Sequence, residues 1–230
     1  AYDGHGRLEN PKLNQNGDYV QHTGYITDIM NGMAVDFVKK DHAKPWSLFF
    51  AHKAVHPDAF QQLIDLLVAA SIEHLSLQIR AGAEVVQIFE SWAGVLPELE
   101  FDRWCLAPLA KIAAAVKARH PQVKVIGFPR TPCASHILKA AALHDIDGVS
   151  IDTAADAASL MTQMPKGKAM QGNLDPLALL TGGDALERVL DHLLSIDRRV
   201  PHIFNLGHGI LPTTPIPHVE RLVQRIRAAR

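Results

Sequence analysis

The sequence predicts an α/β protein whose strands lie parallel in one sheet, and three observations carry that expectation. From residue 58 onward, short apolar segments alternate strictly with segments of helical periodicity. Each apolar segment is followed by a helical or turn segment that begins with polar residues. The last of them, Ile203 to Leu206, breaks at Gly207 and Gly209 with His208 held between. A histidine framed by glycines after a buried strand either projects over a ligand pocket or faces solvent from a tight turn.

In chain order, the stretch DGHGRLENPKLNQNGD has few apolar residues and reads as loop. Thr27 and Asp28 offer an N-cap for a helix in which Ile29, Met33, Phe37 and Val38 recur at helical spacing, ending at Lys39 and Lys40. After Pro45, Trp46 to Ala51 reads as a strand. Phe60, Leu63, Ile64, Leu67, Val68, Ile72, Leu75 and Ile79 recur every three or four residues before Gly82, which makes 59–81 an amphipathic helix. The strands that follow are Val85–Phe89, Val123–Phe128, Gly148–Ile151, Ala169–Gly172 and Ile203–Leu206. Between them, Phe101 to Val116 carries an apolar face with Pro108 as a kink, the segment after Asp184 carries Leu186, Val189, Leu190 and Leu193, and a last helix follows Thr213 and Thr214. The single candidate domain boundary lies at 54–58.

With 230 residues, 47% of them hydrophobic and 20% charged, the chain can bury a core. A net charge of -1 argues against nucleic acid or an anionic membrane as partner. No apolar run reaches the roughly 18 residues that span a bilayer, and AYDGHGRLENPK carries no export signal, so a cytoplasmic protein is expected. Cys105 and Cys133 form no CxxC pair and read as reduced thiols. Thirteen histidines include no HExxH or His-Cys cluster, and His52 with His56 is too common a spacing to indicate a metal.

The polar residues at the C-terminal strand ends are Ser91, Arg130, Asp152, Asn173, Asp175 and His208. In a parallel barrel such positions converge on one mouth. Each alone also suits a cap or turn, as Asp175 before Pro176 does.

Two resemblances sharpen this picture. GYITD at 24–28 and FFAHKAVHP at 49–57 resemble the sulfatase family, in which a lysine and a histidine at a strand end hold the substrate sulfate. Here those residues are Lys53 and His56. The resemblance covers the first 57 residues. The family's Cys/Ser-x-Pro-x-Arg nucleophile motif and calcium-binding carboxylates are missing, and Cys133-Ala134-Ser135-His136 lacks both the proline and the arginine. Sulfate-ester hydrolysis has no mechanism without them, so Lys53 and His56 read as relics or surface residues.

VQIFESWAG at 86–94, QGNLDP at 171–176 and FNLGHGILP at 204–212 closely resemble the uroporphyrinogen decarboxylase family, and HPDAF through QIRAGA at 56–83 fits the helix that precedes them. The resemblance implies a (β/α)8 TIM barrel of which residues 58–230 supply strands four to eight. It implies a cytoplasmic carboxy-lyase, commonly a homodimer, that uses neither cofactor nor metal. The implied substrate is uroporphyrinogen, whose four acetate side chains lose carbon dioxide to give coproporphyrinogen. Ser91 of the FxSxAG segment and His208 of the NLGHG segment carry over as substrate-binding residues, at adjacent strand ends if the barrel closes and splayed apart if it is open.

The family's pyrrole-binding aspartate on the second strand, its arginine-rich segment on the first and its tyrosine after the third have no counterpart in this chain. A complete barrel takes about 250 residues in eight units. The chain therefore reads as a chimera, a decarboxylase-like partial barrel impaired by the loss of its first strands. Trp46 to Ala51 would sit parallel to Val85–Phe89 through a right-handed crossover. A non-catalytic remnant that binds a tetrapyrrole or another subunit is the alternative from a different class. A corrinoid methyltransferase relative would need a His-x-Cys zinc site that the sequence lacks.

Overall fold

Lys12–Gln15 (β1) and Asp18–Gln21 (β2) pair antiparallel, with Leu13 opposite Val20 and Asn14 opposite Tyr19, where the sequence predicts loop. Low apolar content hides such a ribbon, because β2 is exposed along its whole length and buries no face that would leave an alternating pattern. Its base is tied by Asn10, whose N–H donates to the Gly24 carbonyl at 2.7 Å while its Oδ1 accepts from Gly24 N at 2.8 Å. Helix α1, Ile26–Lys39, follows and starts ahead of the expected Thr27/Asp28 cap. The computed structural model describes residues 10, 12–15, 18–24, 26–39, 57–131 and 133–229. The chain divides into two units, Ala1–Glu73 and His74–Arg230. The expected strand Trp46 to Ala51, and with it the predicted pairing to Val85–Phe89, lies outside the described residues.

Helix α2, Pro57–Arg80, buries Leu63, Val68 and Leu75 from its apolar stripe and gives way at Gly82, whose φ of 109° suits a residue without Cβ. Strict alternation then begins. Strand β3 is Val85–Glu90, α3 is Glu98–Phe101, α4 is Ala107–Arg119, and β4 is Lys124–Pro129. After them come α5 Ala134–Ala141, β5 Gly148–Ser150, α6 Ala157–Gln163 and β6 Ala169–Leu174. The series ends with α7 Pro176–Thr181, α8 Gly183–Ser195, β7 His202–Leu206 and α9 Ile216–Ala228.

All five expected strands from 85 onward are present, and they form one parallel sheet in the order β3-β4-β5-β6-β7. Among the described residues the sheet does not close into a barrel. Helices α5, α6 and α7 fill gaps where the alternation predicts a helical or turn segment without giving its bounds. They are short, and their starts are written in single residues: Asp156 accepts from Ser159 N to cap α6, and Asp175 accepts from Leu177 N to cap α7, with Pro176 in its first turn. The expected bend at Pro108 is a slip in the helical ladder. Asp102–Leu106 forms a π-turn between α3 and α4, where Ala107 N bonds to Asp102 O, and Pro108 then sits in the first turn of α4 where its missing N–H leaves nothing unpaired.

The two faces of the sheet differ. On one, Leu174, Phe204 and Leu206 pack with Leu179, Leu186, Leu190 and Leu222 from α7, α8 and α9. On the other, register sets Gln87 beside Ile126 and Gly148, and Ser150 beside Gln171 and Ile203. Gln171 Nε2 donates to Gln87 Oε1 at 3.0 Å and to Ser150 Oγ at 3.3 Å. Side chains of β3 and β6 can meet only if the sheet curls, so this second face is concave, as the lumen of a barrel is. Its rims are apolar and uncovered: Val85 and Phe89 on β3 are 51% and 63% exposed, and Ile203 on β7 is 42% exposed.

Candidate functional site

A parallel sheet places the residues that follow its strands along one edge, and here the backbone links them in sequence. Ser91 follows β3 and is exposed. Its loop is fixed to the end of β4, because Arg130 N donates to Glu90 O and Gly94 N donates to Arg130 O, both at 3.0 Å. Arg130 Nε donates to Asp152 Oδ2 at 2.8 Å, which joins the end of β4 to that of β5. Asp152 is nearly buried, and its other oxygen accepts from Ala154 N at 2.9 Å. From the end of β6, Asn173 Nδ2 reaches the carbonyls of Asp152 at 3.1 Å and Ala155 at 2.8 Å.

The chain of contacts runs on to His208. Gly207 N donates to Leu174 O at 2.9 Å, and the Gly207 backbone lies so close to Thr153 that a Cβ there would stand 2.3 Å from Thr153 N. Glycine is required at 207 for this close approach. His208 leaves the strand exposed. In this open sheet β3 and β7 are the two outer strands, so Ser91 and His208 are splayed to opposite ends of the edge, apart from the adjacency that a closed barrel would give them. Four strand spacings separate them, roughly 19 Å along the curled sheet. Arg130, Asp152 and Asn173 fill the interval. Asp175 caps α7 instead of facing this edge with a free side chain.

Among the described residues, two buried atoms at the same edge, Asn173 Oδ1 and Thr153 Oγ1, have no hydrogen-bond partner. Buried polar atoms are ordinarily paired, so both atoms depart from the rule at this edge. Nothing in the sequence singled out Thr153. The Arg130–Asp152 pair was visible only as two polar residues at strand ends, since no spacing rule links positions 22 apart.

Lys53 and His56 lie outside the described residues. Among the described residues no group of three or more His, Cys, Asp or Glu side chains stands close enough to hold a metal ion. No helix among them is long and apolar enough to cross a membrane. Both cysteines are free thiols. Burial, with Glu90 nearby, pushes the Cys105 thiol up to about 12, whereas a hydrogen bond shared with Ser135 Oγ at 3.2 Å lowers that of the exposed Cys133.

Residues 38–229 match the family model described as "Uroporphyrinogen decarboxylase (URO-D)", so the match starts ahead of the boundary expected at 58. A uroporphyrinogen decarboxylase of Rhizorhabdus wittichii is 49% identical over 172 residues, covering 74% of this chain and 49% of the relative. One of Granulibacter bethesdensis is 46% identical over 203 residues, covering 88% of this chain and 56% of the relative. The chain thus spans about half the length of the curated relatives it matches. Among solved structures, a putative vitamin-B12 independent methionine synthase from Listeria monocytogenes superposes with a TM-score of 0.52 at 13% identity, over 75% of this chain and 55% of the other, a likeness of fold alone. The family model over residues 38–229 and relatives 46–49% identical together show that the chain belongs to the uroporphyrinogen decarboxylase family.

Proposed function

We propose that this chain binds uroporphyrinogen along the strand-end edge from Ser91 to His208, as one side of a decarboxylase active site, and that by itself it turns the substrate over at a negligible rate. The observation that carries this reading is the unbroken polar row Ser91, Arg130, Asp152, Asn173 and His208 above a concave face. Ser91 and His208 supply hydrogen bonds to substrate carboxylates from its two ends. The macrocycle bears eight carboxylates, so a site built to hold it needs donors spread across such a width. Turnover asks for more: electrons leaving with the carboxylate bond must flow into a protonated pyrrole ring, and that charge has to be stabilised where it develops. The aspartate and arginine segments that do this in the family are not in this sequence.

On the same reading the protein acts in the cytoplasm as a homodimer without cofactor, apart from nucleic acid and membranes. Residues 1–57 are a sulfatase-like fragment in which Lys53 and His56 are relics of a sulfate site, and 58–230 are the partial barrel. Chromatographic analysis of products under reducing, dark conditions tests the proposal on the full chain. Hepta- to tetracarboxylate porphyrinogens above a no-protein control would overturn the impaired turnover. Failure of the chain to bind uroporphyrin in a fluorescence titration would overturn the binding role.

A further inference from the structure

Arg130 is the cation nearest the middle of the strand-end row, and its side chain is 39% exposed while that of its partner Asp152 is 12% exposed. The pairing is one-sided. Arg130 uses Nε on Asp152 Oδ2, and among the described residues nothing engages its two terminal amino groups. A guanidinium gripped at Nε has its orientation fixed while the outer edge of its fork stays available, the geometry that receives a carboxylate through two parallel N–H donors. Asp152 is itself held by Ala154 N, and its backbone carbonyl by Asn173, so the arginine is braced through three consecutive strand ends. A purely structural ion pair gains little from such support at a half-open edge.

A second feature points the same way. Among the described residues the hydroxyl of Thr153, which follows Asp152 directly and can donate to a carboxylate, has no hydrogen-bond partner. Arg130 is also joined through its own backbone to both sides of Ser91, by Glu90 O and Gly94 N. We infer that Arg130, oriented by Asp152, is a carboxylate-binding residue of this edge, receiving an acidic side chain of a polycarboxylate ligand between Ser91 and His208. The inference deepens the function proposed above and rests on it for the identity of the natural ligand. It assigns a positive charge to a stretch of the site where the sequence comparison supplied only a serine and a histidine.

The test titrates the full chain with two probes, uroporphyrin and the small polycarboxylate mellitate. Arg130→Ala removes the cation and leaves Asp152 buried without its partner, which can harm folding, so Arg130→Lys is the decisive variant. It keeps a charge beside Asp152 but loses the planar fork. Arg130→Lys is expected to unfold at the wild-type temperature yet bind both probes about tenfold more weakly, with Arg130→Ala weaker still. The octamethyl ester of uroporphyrin, which has no carboxylates, is expected to show no difference between wild type and either variant. If wild type binds uroporphyrin and both variants match it, the Arg130 assignment is overturned while the proposed function stands. If mellitate binding depends on Arg130 but uroporphyrin does not bind, the carboxylate site holds and the tetrapyrrole reading fails. Absence of binding by wild type to either probe overturns both.

Discussion

Gln171 on β6 donates to Gln87 on β3 across 3.0 Å, although β4 and β5 lie between their strands. The bond spans the concave face as a tie-bar, and Gln171 is itself buried. Gln171→Leu is expected to destabilise the fold by about 1–3 kcal/mol, since it leaves Gln87 Oε1 and Ser150 Oγ without their donor. A double-mutant cycle with Gln87→Ala should return a coupling of about 1 kcal/mol in urea denaturation. A coupling near zero would show that the curl does not depend on this contact.

At the opposite end of the sheet, Asp147 accepts from Val125 N at 2.8 Å and pairs with Lys117 at 2.6 Å and Lys124 at 3.2 Å. Burial alone would raise its pKa, but the hydrogen bonds from Lys117, Val125 N–H and Lys124 outweigh it and hold the carboxyl below the ordinary 3.8. A depressed carboxylate contributes stability that is present above the unfolded-state value and is lost as pH falls through the lower folded-state value. Asp147→Asn is therefore expected to cost about 1–3 kcal/mol at pH 7. That cost should shrink as the pH drops below about 4, which unfolding curves at stepped pH would reveal.

The thiols separate by environment. Cys133 is exposed with a lowered pKa, while Cys105 is buried with a pKa pushed up to about 12. Iodoacetamide should label Cys133 in the native protein and reach Cys105 only after denaturation. Ser135→Ala, which removes the hydrogen bond to Cys133 Sγ, should shift the labelling rate profile to higher pH. Equal labelling of both cysteines under native conditions would contradict the burial of Cys105.

His208→Ala is expected to weaken uroporphyrin binding by about 1–3 kcal/mol through the loss of one charge-assisted hydrogen bond. Titration of wild type and variant side by side checks it, and unchanged affinity would assign binding to a surface that does not include β7.

Much of this architecture was legible in the sequence because buried parallel strands leave a simple mark. Val85–Glu90, Lys124–Pro129 and Ala169–Leu174 are short, largely apolar stretches, and each lies within two residues of its expected place. The β1–β2 ribbon left no such mark because β2 is exposed along its whole length. Ser91 and His208 stand out in the sequence through their motifs. Their separation follows from whether the sheet closes, which no single segment encodes. The Gln87–Gln171 bond and the Gly207–Thr153 approach join residues 84 and 54 positions apart, and no periodicity within one segment encodes a contact at that range.

Gly207 and Gly209 look interchangeable on the page, yet their surroundings give them opposite latitude. A methyl group at 207 would strike the Thr153 backbone, whereas one at 209 would meet nothing within 4 Å. Backbone cannot rotate aside as a side-chain tip can, so alanine at 207 is expected to cost about 1–3 kcal/mol, as overpacking does elsewhere. In a library randomised at both positions and selected for folding, 207 should return glycine almost alone while 209 drifts through many residues. Of the two glycines beside His208, the first is a record of packing against a distant loop, and the second is free for whatever the histidine is asked to do.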